Sequence, residues 1–307
     1  MNTVVGIGAA LFDMLSYCNN FPQEDTKMCS EATVLQGGGP CSTALVAACK
    51  LGISCGYAGT TSNDFFGDYI RHDFERYGVD IADLKIKDGY QSAHSMVICS
   101  REHASRTCVW NPGNVPEPES GWFDFPALFK GTKILHLDGN HADFALDATD
   151  YVHEHGGIVS MDAGTMRPGV KELLTVTDIM IASEEFAEKL TGTATGEQAA
   201  ISLSRIYHPL VVAVTCGKNG GVLVEGQKCL SYPAFPVDAV DTNGAGDVFH
   251  GAFLVGWLHG FSTYDCCVFA SAVSALKCKV RGAREGVPSY QRVMEFLEEN
   301  KILIHKG

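Results

Sequence analysis

A chain of 307 residues that is 46 % apolar can bury the core of one large domain, or one domain with a small appendage, without disulfides or metals. Its net charge of −13 and pI near 5.2 exclude nucleic acid and anionic membranes as natural partners, because both require clustered Lys and Arg. An anion bound by such a chain must be met by backbone N–H groups, a helix N-terminus or a metal.

In chain order, the run Val4 to Gly8 reads as a first strand. It follows no basic leader, and no apolar run reaches the roughly 18 residues of a membrane span, so the expectation is a cytoplasmic protein. Residues 10–36 and 91–112 alternate apolar and polar positions, as in Ser92 to Cys99, and are expected to pair into a small separate sheet. Asn111 to Ser120 is a Pro-rich polar loop. The runs Lys133–Leu137, Gly157–Met161, Asp178–Ala182 and Val211–Thr215 then alternate with helical stretches, among them Glu184 to Leu203. This rhythm predicts an α/β fold with a parallel sheet and, through right-handed crossovers, helices on both faces. Pro233 to Val240 reads as a strand. It leads into the loop Asp241-Thr242-Asn243-Gly244-Ala245-Gly246-Asp247 and an apolar helix from Val248 to Leu258.

The twelve cysteines contain no C-x-x-C and form neither a zinc pattern nor a disulfide framework. They are expected to be small core residues in a reducing compartment. The histidines lack zinc spacing, and His153 and His155 fall on opposite sides of a helix. His250, one turn into the helix that follows Asp247, is expected in the core or one layer behind the site.

The loop from Asp241 to Asp247 carries the chemistry. Its small residues let a phosphate approach the backbone, and the free N–H groups of the first helical turn form an anion hole. A carboxylate in that hole can take a hydroxyl proton while the amides stabilise a moving phosphoryl group. Asp247 as a mere helix cap is the bland alternative. G-x-G-D alone would leave the choice open, and the longer string favours chemistry.

With these residues in view, the chain resembles the PfkB (ribokinase-like) carbohydrate kinases. The D-T-x-G-A-G-D-x-F string is intact from Asp241 to Phe249, and Gly37-Gly38-Gly39-Pro40-Cys41-Ser42-Thr43-Ala44 matches the earlier glycine signature. Gly59 to Asp80, Val214 to Gly217 and Gly282 to Pro288 match further stretches in the family order.

The resemblance implies a ribokinase-like three-layer α/β/α core, residues 1–9, 37–90 and 113–307, with a small β lid from 10–36 and 91–112. It implies ATP and Mg2+. It assigns Asp247 as base and Gly244, Ala245 and Gly246 as the anion hole. The nucleotide is expected at Thr215, Gly217, Ala245, Gly246 and Lys277. The sugar is expected at Asp13, Gly37, Gly38, Gly39 and Ser42, with Asn111 and Asp138 as further hydroxyl contacts. Asp13 suits a polyol physically, since one carboxylate accepts from two neighbouring hydroxyls. A monovalent cation, K+, is implied at Asp241, Asn243, Gly282 and Gly286, within the loop that starts at Lys277. The lid suggests a homodimer.

Three positions depart from the pattern. Ser42 replaces a usual Asn, Asn243 replaces a usual Thr, and the N-x-x-E of the Mg2+ site reads Ser183-Glu184-Glu185-Phe186, leaving Glu184 to reach Mg2+ through water. The glycine signature and Ala275-Leu276-Lys277-Cys278 are most similar to the branch that includes sulfofructose kinase. Lys27 and Arg106 fall on expected lid strands, but the loop Asp138 to His141 has no Arg, which weakens an anionic-sugar reading and leaves a neutral ketose, a pentose or a nucleoside open. A nicotinamide enzyme is the first rival reading, but Leu11 replaces the third Gly of G-x-G-x-x-G. A non-catalytic sensor on the same fold is the second, and it leaves Asp247 without a purpose.

Overall fold

The computed structural model describes residues 1–102 and 105–307. Its elements begin with β1 (Val4–Ile7), β2 (Leu11–Cys18), β3 (Ala32–Gly38), α1 (Pro40–Lys50), β4 (Cys55–Tyr57), β5 (Gly59–Ser62) and α2 (Phe65–Arg76). Next come β6 (Leu84–Lys87), β7 (His94–Ser100), β8 (Ser105–Asn111), α3 (Phe125–Leu128), β9 (Ile134–Leu137), α4 (Ala142–Glu154), β10 (Ile158–Ala163) and α5 (Val170–Thr175). The chain continues through β11 (Ile179–Ser183), α6 (Glu184–Thr191), α7 (Gly196–Tyr207), β12 (Val211–Thr215), β13 (Gly221–Glu225) and β14 (Lys228–Tyr232). It ends in α8 (Ala245–Leu258), α9 (Thr263–Lys277) and α10 (Tyr290–Glu299).

Eight strands form the main sheet in the order β14-β13-β12-β11-β10-β9-β1-β4. The neighbours from β4 to β12 run parallel, and β13 and β14 return antiparallel at one edge. Strand residues alternate between two cores, which makes the fold three-layered. Val4, Ile134, Ile179 and Val211 face α1, α8 and α9. Val5, Leu135, Met180 and Val212 face α4, α5 and α7.

A second sheet, β3-β2-β7-β8, stands over the C-terminal ends of the parallel strands. Positions 103 and 104 of the expected lid lie outside the described residues. The pairing Gln36–Asp13–Ser95–Trp110 gives this sheet a polar inner row, and Leu35–Met14–Met96–Val109 lies on the opposite face.

Two sequence expectations need correction. Pro233 to Val240 is not a strand but an irregular segment. Pro233 and Pro236 have no N–H to give a ladder, so the edge strand stops at Tyr232. The stretch from Glu184 to Leu203 is two helices, because Gly192 takes the left-handed conformation (φ 70°) and closes the first. Seven of the cysteines are buried, and all twelve are free thiols.

Candidate active site

The order of the main sheet changes direction at β1, whose neighbours β4 and β9 lie on either side of it. Loops diverge there, leaving a crevice at the strand ends, the usual ligand position in such sheets. Asp138, just past β9, ties the crevice together. Its Oδ2 accepts from the N–H of Ala9 at 2.8 Å and of Cys41 at 3.1 Å. Its Oδ1 accepts from the backbone and side-chain nitrogens of Asn140 at 3.1 and 2.8 Å.

Most helices here begin with a side-chain cap, as Asp64 caps α2 and Ser262 caps α9. The helices α1, α4, α5 and α8 lack one and begin at Gly39, His141, Gly169 and Gly244. The starts of α1, α4 and α8 border the crevice. At α1 no amide is left over, since Pro40 has none, Cys41 N–H goes to Asp138 and Ser42 N–H to Ala9 O, whereas at α8 the N–H of Ala245 goes to Thr242 O and those of Gly246 and Asp247 remain available to a ligand.

Two cavities meet at the start of α8. One, of about 370 Å³, lies under the lid and is lined by Asp13, Ser95, Trp110, Arg106, Arg167 and Asp247, with Gly39, Asn140 and Asn243 among its other walls. The other, of about 530 Å³, is bounded by Thr215, Gly217, Phe235, Thr242, Ala245 and Gly246. The loop from Asn243 to Gly246 is therefore the wall between them.

Gly244 takes φ 71°, and a Cβ there would stand 2.4 Å from that of Ala283, so glycine is required for this turn. No carbonyl of the preceding loop accepts from the N–H of Gly246 or Asp247 among the described residues. Asp247, in that first turn, is held above the usual carboxylate range, at about 6, by burial and then by the charge of Asp162. Behind it, His250 Nε2 stands 3.3 Å from Asp162. Burial opposes ionisation of Asp162, but the His250 pairing outweighs it and lowers its pKa. His136, behind His250, is kept neutral by burial and by His250, its pKa falling to about 3.

On the lid, Ser95 donates to Asp13 Oδ1. Burial raises the pKa of Asp13, against the Ser95 bond and the Arg284 charge. A Cβ on Gly38 would stand 2.0 Å from the Asp13 carboxylate, so the glycine signature makes room for that side chain.

The structure separates other residues that the sequence grouped. Ser42 is fully buried and does not face the sugar cavity. Its hydroxyl donates to Gly38 O at 2.6 Å and accepts from Arg284 Nη2 at 2.6 Å, because the first turn of α1 packs on that arginine. Gly37 packs on Arg284 and lies behind the cavity. Asn111 is exposed and accepts from the N–H of Gly113 at 2.9 Å, closing a turn of its own. Asp138 spends its acceptors on backbone and Asn140. Glu184 leans on the Cys216 thiol, whose pKa burial and this contact raise to about 12. Lys27 is exposed and lines neither cavity.

Lys277 does not border the nucleotide cavity. It is fully buried, and its Nζ donates to the carbonyls of Asp241, at 2.9 Å, and Asn243. Gly282 N–H donates to Asp241 Oδ2 at 2.8 Å, and Gly286 packs against the Lys277 carbonyl. Of the positions assigned above to a monovalent cation, Asp241 and Asn243 thus have their carbonyls already engaged by an ammonium.

Arg167 was missed in the sequence. It lies some thirty residues past Asp138, on the turn before α5, and only the fold returns it to the cavity. Its guanidinium carbon is 5.8 Å from the Trp110 ring centroid, and its Nε is buried without a hydrogen-bond partner.

A sequence profile described as "pfkB family carbohydrate kinase" matches residues 1–289. The chain belongs to the PfkB family. This PfkB protein is a phosphotransferase with an alcohol group as acceptor. It is 22 % identical over 289 residues to mouse ketohexokinase, covering 91 % of this chain and 97 % of the relative. It is 26 % identical over 302 residues to an ATP-dependent ribose-1-phosphate kinase of Halopiger xanaduensis, covering 97 % and 99 %. A solved protein from E. coli, provisionally named ribokinase II and bound to ATP and Mg2+, superposes with a TM-score of 0.84 at 22 % identity, over 97 % of this chain and 100 % of that one. The ribokinase-like fold of this PfkB chain follows from that likeness. No described helix is long and apolar enough to cross a membrane.

Proposed function

We propose that this PfkB protein transfers the γ-phosphoryl group of ATP to a hydroxyl of a small sugar bearing a negative charge. The observation that carries the reaction is Asp247 on the floor of the lid cavity, beside free first-turn amides that separate this cavity from the one at Thr215 and Gly217. The sugar sits under Asp13 and Ser95, and the lid excludes water that would otherwise hydrolyse ATP. Asp247 takes the hydroxyl proton as the new O–P bond forms and the bond from the γ-phosphorus to the β,γ-bridging oxygen breaks. The products are a sugar phosphate and ADP. The N–H groups of Gly246 and Asp247 hold the charge of the transferring group in place.

No three His, Cys, Asp or Glu side chains converge as a metal cage among the described residues. Mg2+ keeps several waters and leans on nucleotide phosphates, and Glu184, turned to the Cys216 thiol and bordering neither cavity, is not proposed as its ligand. Bound Mg2+ supplies neutralising charge to those phosphates.

The negative charge of the substrate is inferred from Arg106 and Arg167, which line the cavity from the lid and from the core. Neither is paired with a carboxylate among the described residues. A guanidinium fork matches a phosphate, sulfonate or carboxylate. The name of the archaeal relative favours such a substrate, that of the mouse relative a neutral ketose.

A coupled ADP-release assay across neutral sugars, nucleosides, sugar acids and phospho- or sulfo-sugars tests this. We expect the best kcat/KM on an anionic sugar. Arg167→Met should raise KM there about 10- to 100-fold, the worth of a charge-assisted hydrogen bond, and leave neutral sugars unchanged. A neutral sugar or nucleoside as best substrate would sink the charge assignment. Silence on every compound while ATP still binds would sink the kinase reading itself.

The outer lid row supports a homodimer. Leu35, Met96 and Val109 are 44 %, 52 % and 61 % exposed and lie in register with Met14 across all four strands. Such a face is commonly covered. Light scattering should give twice the chain mass of 33.0 kDa, and Met96→Lys should shift it to the monomer. A wild-type monomer at micromolar concentration would refute this.

A further inference from the structure

Lys277 closes α9 and is among the largest fully buried side chains of the molecule. A buried ammonium is costly unless its protons find acceptors. Lys277 finds them in the carbonyls of Asp241 and Asn243, beside the Asp241 carboxylate. Those carbonyls do not accept from the amides at the start of α8; the N–H of Ala245 goes to Thr242 O at 3.2 Å, and those of Gly246 and Asp247 are left without a carbonyl of the loop as acceptor. The Asp241 carboxylate holds the same loop from the other side, accepting from the N–H groups of Asn243 and Gly282, both at 2.8 Å. A free cation binding here would need the same carbonyl oxygens and would face an ammonium at contact distance. The two charges exclude each other.

We propose that the Lys277 ammonium is a tethered replacement for a monovalent cation: it holds the loop from Asp241 to Gly244 so that the first-turn amides of α8 stay aimed at the phosphoryl group, and turnover needs neither K+ nor Na+. Lys277 is in this sense a positioning residue. The inference rests on the kinase reading for its catalytic part only, since cation binding is measurable without turnover.

The test compares K+, Na+ and choline chloride at equal ionic strength, reading turnover and, separately, the melting temperature of the substrate-free protein. Wild-type turnover should change less than twofold, and its melting temperature should be the same in K+ and choline. Lys277→Ala vacates the ammonium position. In choline it should lose most of its kcat, and K+ or NH4+ should restore part of it and raise its melting temperature, while choline does neither. A merely structural lysine would show no such selection by ion size. Activation of the wild type tenfold or more by K+, or a melting temperature raised by K+ over choline, overturns the proposal. So does Lys277→Ala with wild-type kcat in choline, or without recovery in K+ or NH4+. If Lys277→Ala does not fold, the wild-type arms decide alone. If no sugar is turned over, the melting arms still decide the cation question, so the two readings fail separately.

Discussion

Asp247→Asn is expected to lower kcat by about 10² to 10⁴, the range for a positioned general base, while ATP affinity stays within a few-fold. The amide preserves the shape of the carboxylate at the start of α8 but cannot accept the hydroxyl proton. The anion-hole amides belong to the backbone and are unchanged, so residual turnover should exceed the uncatalysed rate. The wild type carries its own signature of the same group. Burial and the nearby Asp162 charge raise Asp247 to about 6. It is charged and able to accept a proton above that pH, and protonated and idle below it. The kcat/KM profile should be flat above pH 6 and fall about tenfold per pH unit below it, and this limb should vanish from the residual activity of Asp247→Asn. Wild-type kcat in the variant, or a limb that persists in it, would remove Asp247 from the role of base.

Arg284→Met is expected to cost about 3–5 kcal/mol of unfolding free energy, the range for breaking a buried ion pair from one side. Arg284 is 2 % exposed and pairs with Asp73 on α2. Its Nη2 reaches Ser42 Oγ at 2.6 Å and Gly38 O at 3.2 Å, and its Nε reaches Thr43 Oγ1 at 3.3 Å. One guanidinium thus joins the root of the lid, the start of α1, the middle of α2 and the loop that holds Asp241. Methionine fills the volume but strands the Asp73 charge in the core. Urea denaturation reads the loss. The double variant Arg284→Met with Asp73→Leu should lose less than Arg284→Met alone, since no charge is left unpaired. Arg76, whose pair with Glu285 is about 60 % exposed on both sides, provides the control. Arg76→Met should cost under about 1 kcal/mol. Equal costs for Arg284→Met and Arg76→Met would show that the buried network carries no special weight.

Much of this was legible without coordinates. The runs at Val4, Ile134, Ile179 and Val211 declare a parallel sheet because strands buried on both faces read as continuous apolar segments. The string from Asp241 to Asp247 declares its chemistry because glycine, helix start and carboxylate are contiguous in the chain. Pro233 to Val240 misled, since its apolar residues suit a strand while its prolines forbid the ladder. Ser42 misled differently. Gly39 and Pro40 of the glycine signature do border the lid cavity, but the Ser42 hydroxyl is claimed by a guanidinium more than two hundred residues away in the chain.

The sequence by itself determined the fold class and the position of Asp247, for these rest on local periodicity and on one unbroken motif. Tertiary structure alone decided which charges meet. It brought Arg167 beside Trp110, buried Arg284 against Asp73, and turned Lys277 from the nucleotide to the carbonyls of Asp241 and Asn243. The physical reason is that electrostatic and hydrogen-bond partners are chosen by distance in space and by the need to satisfy buried charge, and a linear pattern carries neither.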